Sequence, residues 1–120
     1  MKGILIALIA MNFMFFSCEK QSDVLKIKGK VIHSSCATKV VQILDPNYYN
    51  LGQATWQQSA NKPVYNNVFE IANRCSFDTT GVKDGDEFYF IITSNGENGC
   101  AICALWDNPP SVKQKIEVVK

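Results

Sequence analysis

Leu25, Ile27 and Val31 alternate with Lys26, Lys28 and Lys30. That period of two suits a strand with one face buried and leaves no apolar stripe for a helix. Further strand segments follow down the chain, some by alternation and some as β-branched apolar runs. Val40 to Leu44 predicts a second strand, stopped by Asp45-Pro46-Asn47, and Val64 to Ala72 a third, with Phe69 and Ile71 inward. Glu87 to Thr93 predicts a fourth, entered through the turn Asp84-Gly85-Asp86, with Phe88, Phe90 and Ile92 alternating against Glu87, Tyr89 and Ile91. Ala101 to Trp106 is expected to form a fifth, ended by Asp107-Asn108-Pro109-Pro110, and Val112 to Val119 a sixth. Trp106 is expected in the core or against the two prolines.

Six short strands at intervals of about a dozen residues, with little helical periodicity, predict an all-β domain. The expected architecture is a small six-stranded barrel (OB-like) or a β-sandwich. Between the second and third strands the chain turns polar, with Asn47, Asn50, Gln53, Gln57, Gln58 and Asn61. A connection this long in a small domain is often functional. A short element of open type is expected around Gln53 to Ser59. Tyr48, Tyr49 and Trp56 in this 47–61 segment are the candidate ligand-binding residues. Aromatic faces beside amide side chains suit a sugar or a peptide, by stacking plus oriented donors and acceptors.

The chain opens with Lys2, an apolar run from Ile4 to Phe16 interrupted by Asn12, and then Ser17-Cys18-Glu19. The run has 13 residues, whereas a membrane-spanning helix needs roughly 20. A basic start, a short apolar stretch and a small residue before the break describe a secretory signal peptide. Phe15 at −3 does not fit the small-x-small rule of ordinary cleavage. Phe15, Ser17 and Cys18 instead resemble a lipobox, the signal of bacterial lipoproteins, although Phe16 is bulkier than usual at its position. With Cys18-Glu19-Lys20 behind a Phe-rich leader, the start looks like small envelope lipoproteins of the Bacteroidota. The resemblance implies cleavage before Cys18, lipidation of Cys18, and anchoring at the outer membrane, facing the periplasm or the surface. It covers about 23 residues and does not reach the folded domain.

The expected organisation is therefore a leader over 1–17, a lipidated tether over 18–23, and one β domain over 24–120. Lys2 takes one of the twelve basic residues, leaving eleven against eleven acidic ones in the mature chain. Such balance gives no electrostatic reason to expect nucleic acid as a partner. The expected partners are the membrane, through the lipid, and an envelope protein or glycan. Four cysteines remain after Cys18: Cys36, Cys75, Cys100 and Cys103. An even count in a small exported domain is the pattern of a disulfide framework. On one extended strand Cys100 and Cys103 would lie about 10 Å apart, beyond the roughly 4.4–6.8 Å a bridge needs. A turn at Asn98-Gly99 would permit the local bridge, so all three pairings stay open.

Reactive groups are scarce. His33 is the single histidine, three residues before Cys36, and a Cys36 tied in a disulfide cannot serve as a nucleophile. Cys100-Ala101-Ile102-Cys103 has the spacing of a redox CxxC but lacks the strand–helix setting that lowers a thiolate pKa. A zinc ribbon needs two such pairs, and Asp84, Asp86 and Glu87 lack the distal ligand of a calcium loop. No cofactor, metal site or catalytic residue is expected. The reading is a non-enzymatic binding or assembly module. The alternatives are a saccharide- or peptide-binding accessory lipoprotein using the 47–61 loop, and a thiol–disulfide oxidoreductase using Cys100 and Cys103.

Overall fold

The structure, a computed structural model, describes residues 25–97 and 103–120. The leader, the lipidation position Cys18, the tether and Cys100 lie outside the described residues. Seven strands among the described residues form one sheet. They are β1 (Ile27–Ser34), β2 (Lys39–Ile43), β3 (Gln53–Gln57), β4 (Val64–Ile71), β5 (Glu87–Ile92), β6 (Lys113–Gln114) and β7 (Ile116–Val119). A 3₁₀ turn at Pro46–Leu51 precedes β3, and a five-residue helix α1 (Arg74–Asp78) follows β4. The hydrogen-bonded order is β3-β4-β2-β1-β5-β7, with β6 pairing with β4. All pairs are antiparallel except β4 with β6.

These strands form where side chains alternate between two environments. Ile27 and Val31 of β1, Val41 and Ile43 of β2, Phe69 and Ile71 of β4, and Phe88 and Phe90 of β5 meet in the main core. Phe77 of α1 and Ile116 of β7 close it. Phe69 and Phe90 meet edge to face at 5.5 Å between ring centres, an arrangement the ring quadrupoles favour. Val40, Trp56 and Val68 form a second, smaller apolar cluster, with Ile32 and Tyr65 packed against it. Val40 and Val41 are adjacent on β2, so they point to opposite faces. The two clusters therefore lie on opposite sides of the sheet.

Two backbone details shape the region around β3. Asn67, inside β4, has φ 60°, a left-handed conformation that asparagine tolerates better than most residues. Opposite it, a Cβ on Gly52 would sit 2.9 Å from both the Asn67 carbonyl carbon and the Val68 nitrogen. These are backbone atoms that cannot step aside, so glycine is required where the chain enters β3.

Five expectations are corrected. The strands form one sheet rather than the two stacked sheets of a sandwich, and they number seven rather than six. The expected strand 112–119 is two, because the chain leaves β4 after Gln114 and joins β5 from Ile116. Residues 103–106 form no strand, since the Cys36–Cys103 disulfide and the side-chain bonds of Asp107 hold this segment instead. Trp106 is 75% exposed rather than in the core, whereas Pro110, four residues on, is fully buried.

Candidate ligand-binding end

The β1–β2 turn and the segment 103–111 meet at one end of the sheet. Cys36 and Cys103 join them through a disulfide across 67 residues of sequence, with Cα atoms 5.9 Å apart. Asp107 makes the second tie. Its Oδ1 accepts from the Thr38 hydroxyl at 2.6 Å, and Oδ2 from the Ser35 hydroxyl at 2.7 Å. His33 Nε2 lies 2.9 Å from the same Oδ2. An ionised carboxylate only accepts, so the ring nitrogen facing it carries the proton. The Asp107 side chain is 9% exposed. Burial opposes its ionisation, but the bonds from Thr38, His33 and Ser35 together hold its pKa below the ordinary aspartate value.

A third set of bonds ties the segment to β3. Trp56 Nε1 donates to the Asn108 carbonyl at 2.9 Å, and Gln58 Nε2 to the Asp107 carbonyl at 3.1 Å. The Asn108 amide donates back to the Gln58 carbonyl at 3.0 Å. Asn108 itself has φ 56°, a second asparagine in the left-handed region. His33 stands edge-on to Trp56 at 5.7 Å. The segment thus covers the small apolar cluster, and it turns Leu105 and Trp106 outward, 56% and 75% exposed.

Serine, histidine and aspartate together invite a hydrolytic reading, which the bonding opposes. Ser35 Oγ donates to Asp107 rather than to His33, and it accepts from the amides of Ala37 and Thr38. A nucleophile needs its base within hydrogen-bond reach; here the carboxylate holds both groups in a clamp. Such an arrangement fixes a loop and presents what that loop carries.

The expected site residues separate. Cys36 is bonded to Cys103, so Cys103 is not paired with Cys100 as a local redox pair would require. Cys75 is disulfide-bonded, with its partner outside the described residues. Tyr48 packs partly buried against the main core, and Tyr49 is 39% exposed. Trp56 is 5% exposed in the cluster on the other face. The three aromatics therefore do not form one platform. Asp86 accepts from the Lys83 amide at 2.9 Å beside Gly85 at φ 84°, which is turn chemistry. Among the described residues no group of three or more His, Cys, Asp or Glu is placed to hold a metal ion, and no helix is long and apolar enough to cross a membrane.

Asp107, Ser35, Thr38 and Asn108 were invisible as a site in the sequence. Asp107-Asn108-Pro109-Pro110 reads as a strand terminator, and nothing local links it to residues about 70 positions earlier. No protein family, curated sequence or solved structure matched the chain.

Proposed function

We propose that the protein is a lipid-anchored envelope module that binds a partner without chemistry, with Cys18 as the acylated residue. The observation that carries the binding role is the exposed Leu105-Trp106 pair on a segment held by a disulfide and by the Asp107 clamp. An apolar pair held rigid in water loses little conformational entropy on binding, and tryptophan leads among residues that dominate interfaces. The disulfide also fits an oxidising compartment, in keeping with the leader.

The finer architecture we propose is an OB-like barrel. β6 and β7 are one residue apart yet pair with β4 and β5, so the C-terminal segment spans from one side of the sheet path to the other. OB barrels bind ligands with the loop between their first two strands and the loop before their last strand. Here Cys36–Cys103 joins the β1–β2 loop, 35–38, to the segment 103–112 that leads into β6.

Mass spectrometry of the protein extracted from its own membranes tests the anchored reading. The expected mass lacks residues 1–17, carries acyl chains, and shows four cysteines alkylated only after reduction. A full-length, unacylated chain, or thiols alkylated before reduction, would refute it.

A saccharide ligand is the second reading, favoured by a groove of about 500 Å³ along the edge strand β3. Gln53, Thr55, Gln57 and Ser111 line it beside the edge of Trp56, which offers donors and acceptors next to an aromatic ring. Thr55→Ala, at an exposed position in the groove whose hydroxyl holds no turn, should then weaken retention on immobilised glycans and leave the melting temperature nearly unchanged.

A further inference from the structure

At the opposite end of β1 the sheet carries an open groove of about 590 Å³. Leu25 just before β1 and Ile27 at its start, with Ile91 and Ile92 at the end of β5, form one wall, with Tyr48, Asn50 and Leu51 of the 3₁₀ turn across from them. No acidic or basic side chain lines it. Leu25 is 58% exposed and Ile92 39%, so the apolar wall stands open to water. Contiguous exposed apolar surface of this kind marks an interaction site.

The chain itself indicates the occupant. Leu25 follows Cys18 by seven residues, and seven residues span at most about 25 Å when fully extended. Acyl chains on Cys18 would hold the groove within that distance of the bilayer surface. β1 then rises about 23 Å from Ile27 to Ser34, which sets the Trp106 end on the far side.

We propose that this groove is a bilayer-contact face. The inference rests on the anchored reading given above. Leu25 and Ile92 enter the boundary between headgroups and acyl chains, and Tyr48 lies at headgroup level, where amphipathic rings are enriched. Lys26, exposed beside Leu25, supplies an ammonium for anionic headgroups. Acylation at one residue on a short tether fixes distance but leaves orientation free. An apolar face beside the tether fixes orientation and directs the opposite end outward.

The test is tryptophan quenching in vesicles whose phosphatidylcholine carries brominated acyl chains, with the lipidated protein reconstituted and recovered by flotation. The natural tryptophans are controls, since Trp56 is buried and Trp106 lies at the far end. Ile92→Trp and Asn50→Trp place a reporter on each wall of the groove. The expected result is unchanged emission from the natural protein and loss of the added component in both variants. Asn50 is exposed, so its variant remains informative if the Ile92 change disturbs packing. Protein that floats with the vesicles while both reporters stay unquenched would overturn the contact face and leave the anchor standing. Protein that does not float would overturn both.

Discussion

Asp107 is the residue on which the candidate binding end depends. Three donors from one side of the sheet, Thr38, Ser35 and His33, converge on its two carboxylate oxygens. Hydrogen bonds to a charged group contribute about 1.5–3 kcal/mol each, and removing an acceptor leaves buried donors without a partner. An asparagine in its place offers one acceptor oxygen, and its amide hydrogens face donors. Asp107→Asn is therefore expected to lower stability by about 2–3 kcal/mol, read as the midpoint of urea unfolding at neutral pH. The folded carboxyl has its pKa held below the ordinary value of 3.8. A depressed carboxylate adds stability above its unfolded pKa and loses it as pH falls through the folded one. The gap between natural protein and variant should hence narrow below about pH 3.8. An equal gap at pH 3 and pH 7 would show that the carboxylate's charge contributes nothing.

At the scale of elements, the period-two patterns placed β1 and β5, which have one face on the main core. The apolar β-branched runs placed β2 and β4, which bury residues on both faces, although β1 runs three residues beyond its pattern. The elements missed are those shaped by distant partners. α1 is five residues long, too short for a helical repeat to show. It is held from outside, by Glu97 accepting from the Ser76 amide and hydroxyl and by the bond of Cys75. The strand expected over 101–106 has the right composition, yet at 103–106 the disulfide and Asp107 prevail over local propensity. The candidate site followed the same rule. Aromatic and amide residues in 47–61 were legible as a cluster in sequence, whereas the clamp joins positions 33–38 to 107 and has no local signature. These dependences make the disulfide the element to test. Closing 67 residues removes chain entropy from the unfolded state, so Cys36→Ala is expected to cost about 2–4 kcal/mol. Amide exchange should accelerate in 103–111 before it does in β1, β2 and β4, since the side-chain bonds alone then hold the segment. Uniform acceleration over the sheet would mean that the bridge supports the whole domain and not this end.

For the whole molecule, acidic groups on the sheet and in its loops respond to pH in opposite directions. Glu70 of β4 is 13% exposed in its side chain. Burial raises its pKa above 4.5, against the opposing pull of the Lys113 ammonium 3.6 Å away. Its Oε1 makes no hydrogen bond. A carboxyl with a raised folded pKa favours folding while protonated, and that stability is lost as pH rises through the folded value. Asp107 raises the Glu70 pKa further by charge repulsion, so the two carboxylates couple the candidate binding end to the middle of the sheet. Glu97 adds to the Asp107 side, because the Ser76 hydroxyl lowers its pKa. The balance predicts that Glu70→Gln changes the pH dependence rather than the fold. Below pH 4.5 the natural protein and the variant should unfold at similar urea concentrations, both carrying a neutral group at position 70. As pH rises toward neutral, the natural midpoint should fall relative to that of the variant, and the difference should grow through the weakly acidic range. Lys113→Met in the natural background should steepen that fall, because the cation opposing the raised pKa is gone. A variant that loses stability at neutral pH instead would mean that the Lys113 ion pair outweighs the burial of the carboxylate. The junction of β4 and β6 would then be held by charge and not by the backbone bonds from Glu70 to Val112 and from Ala72 to Gln114.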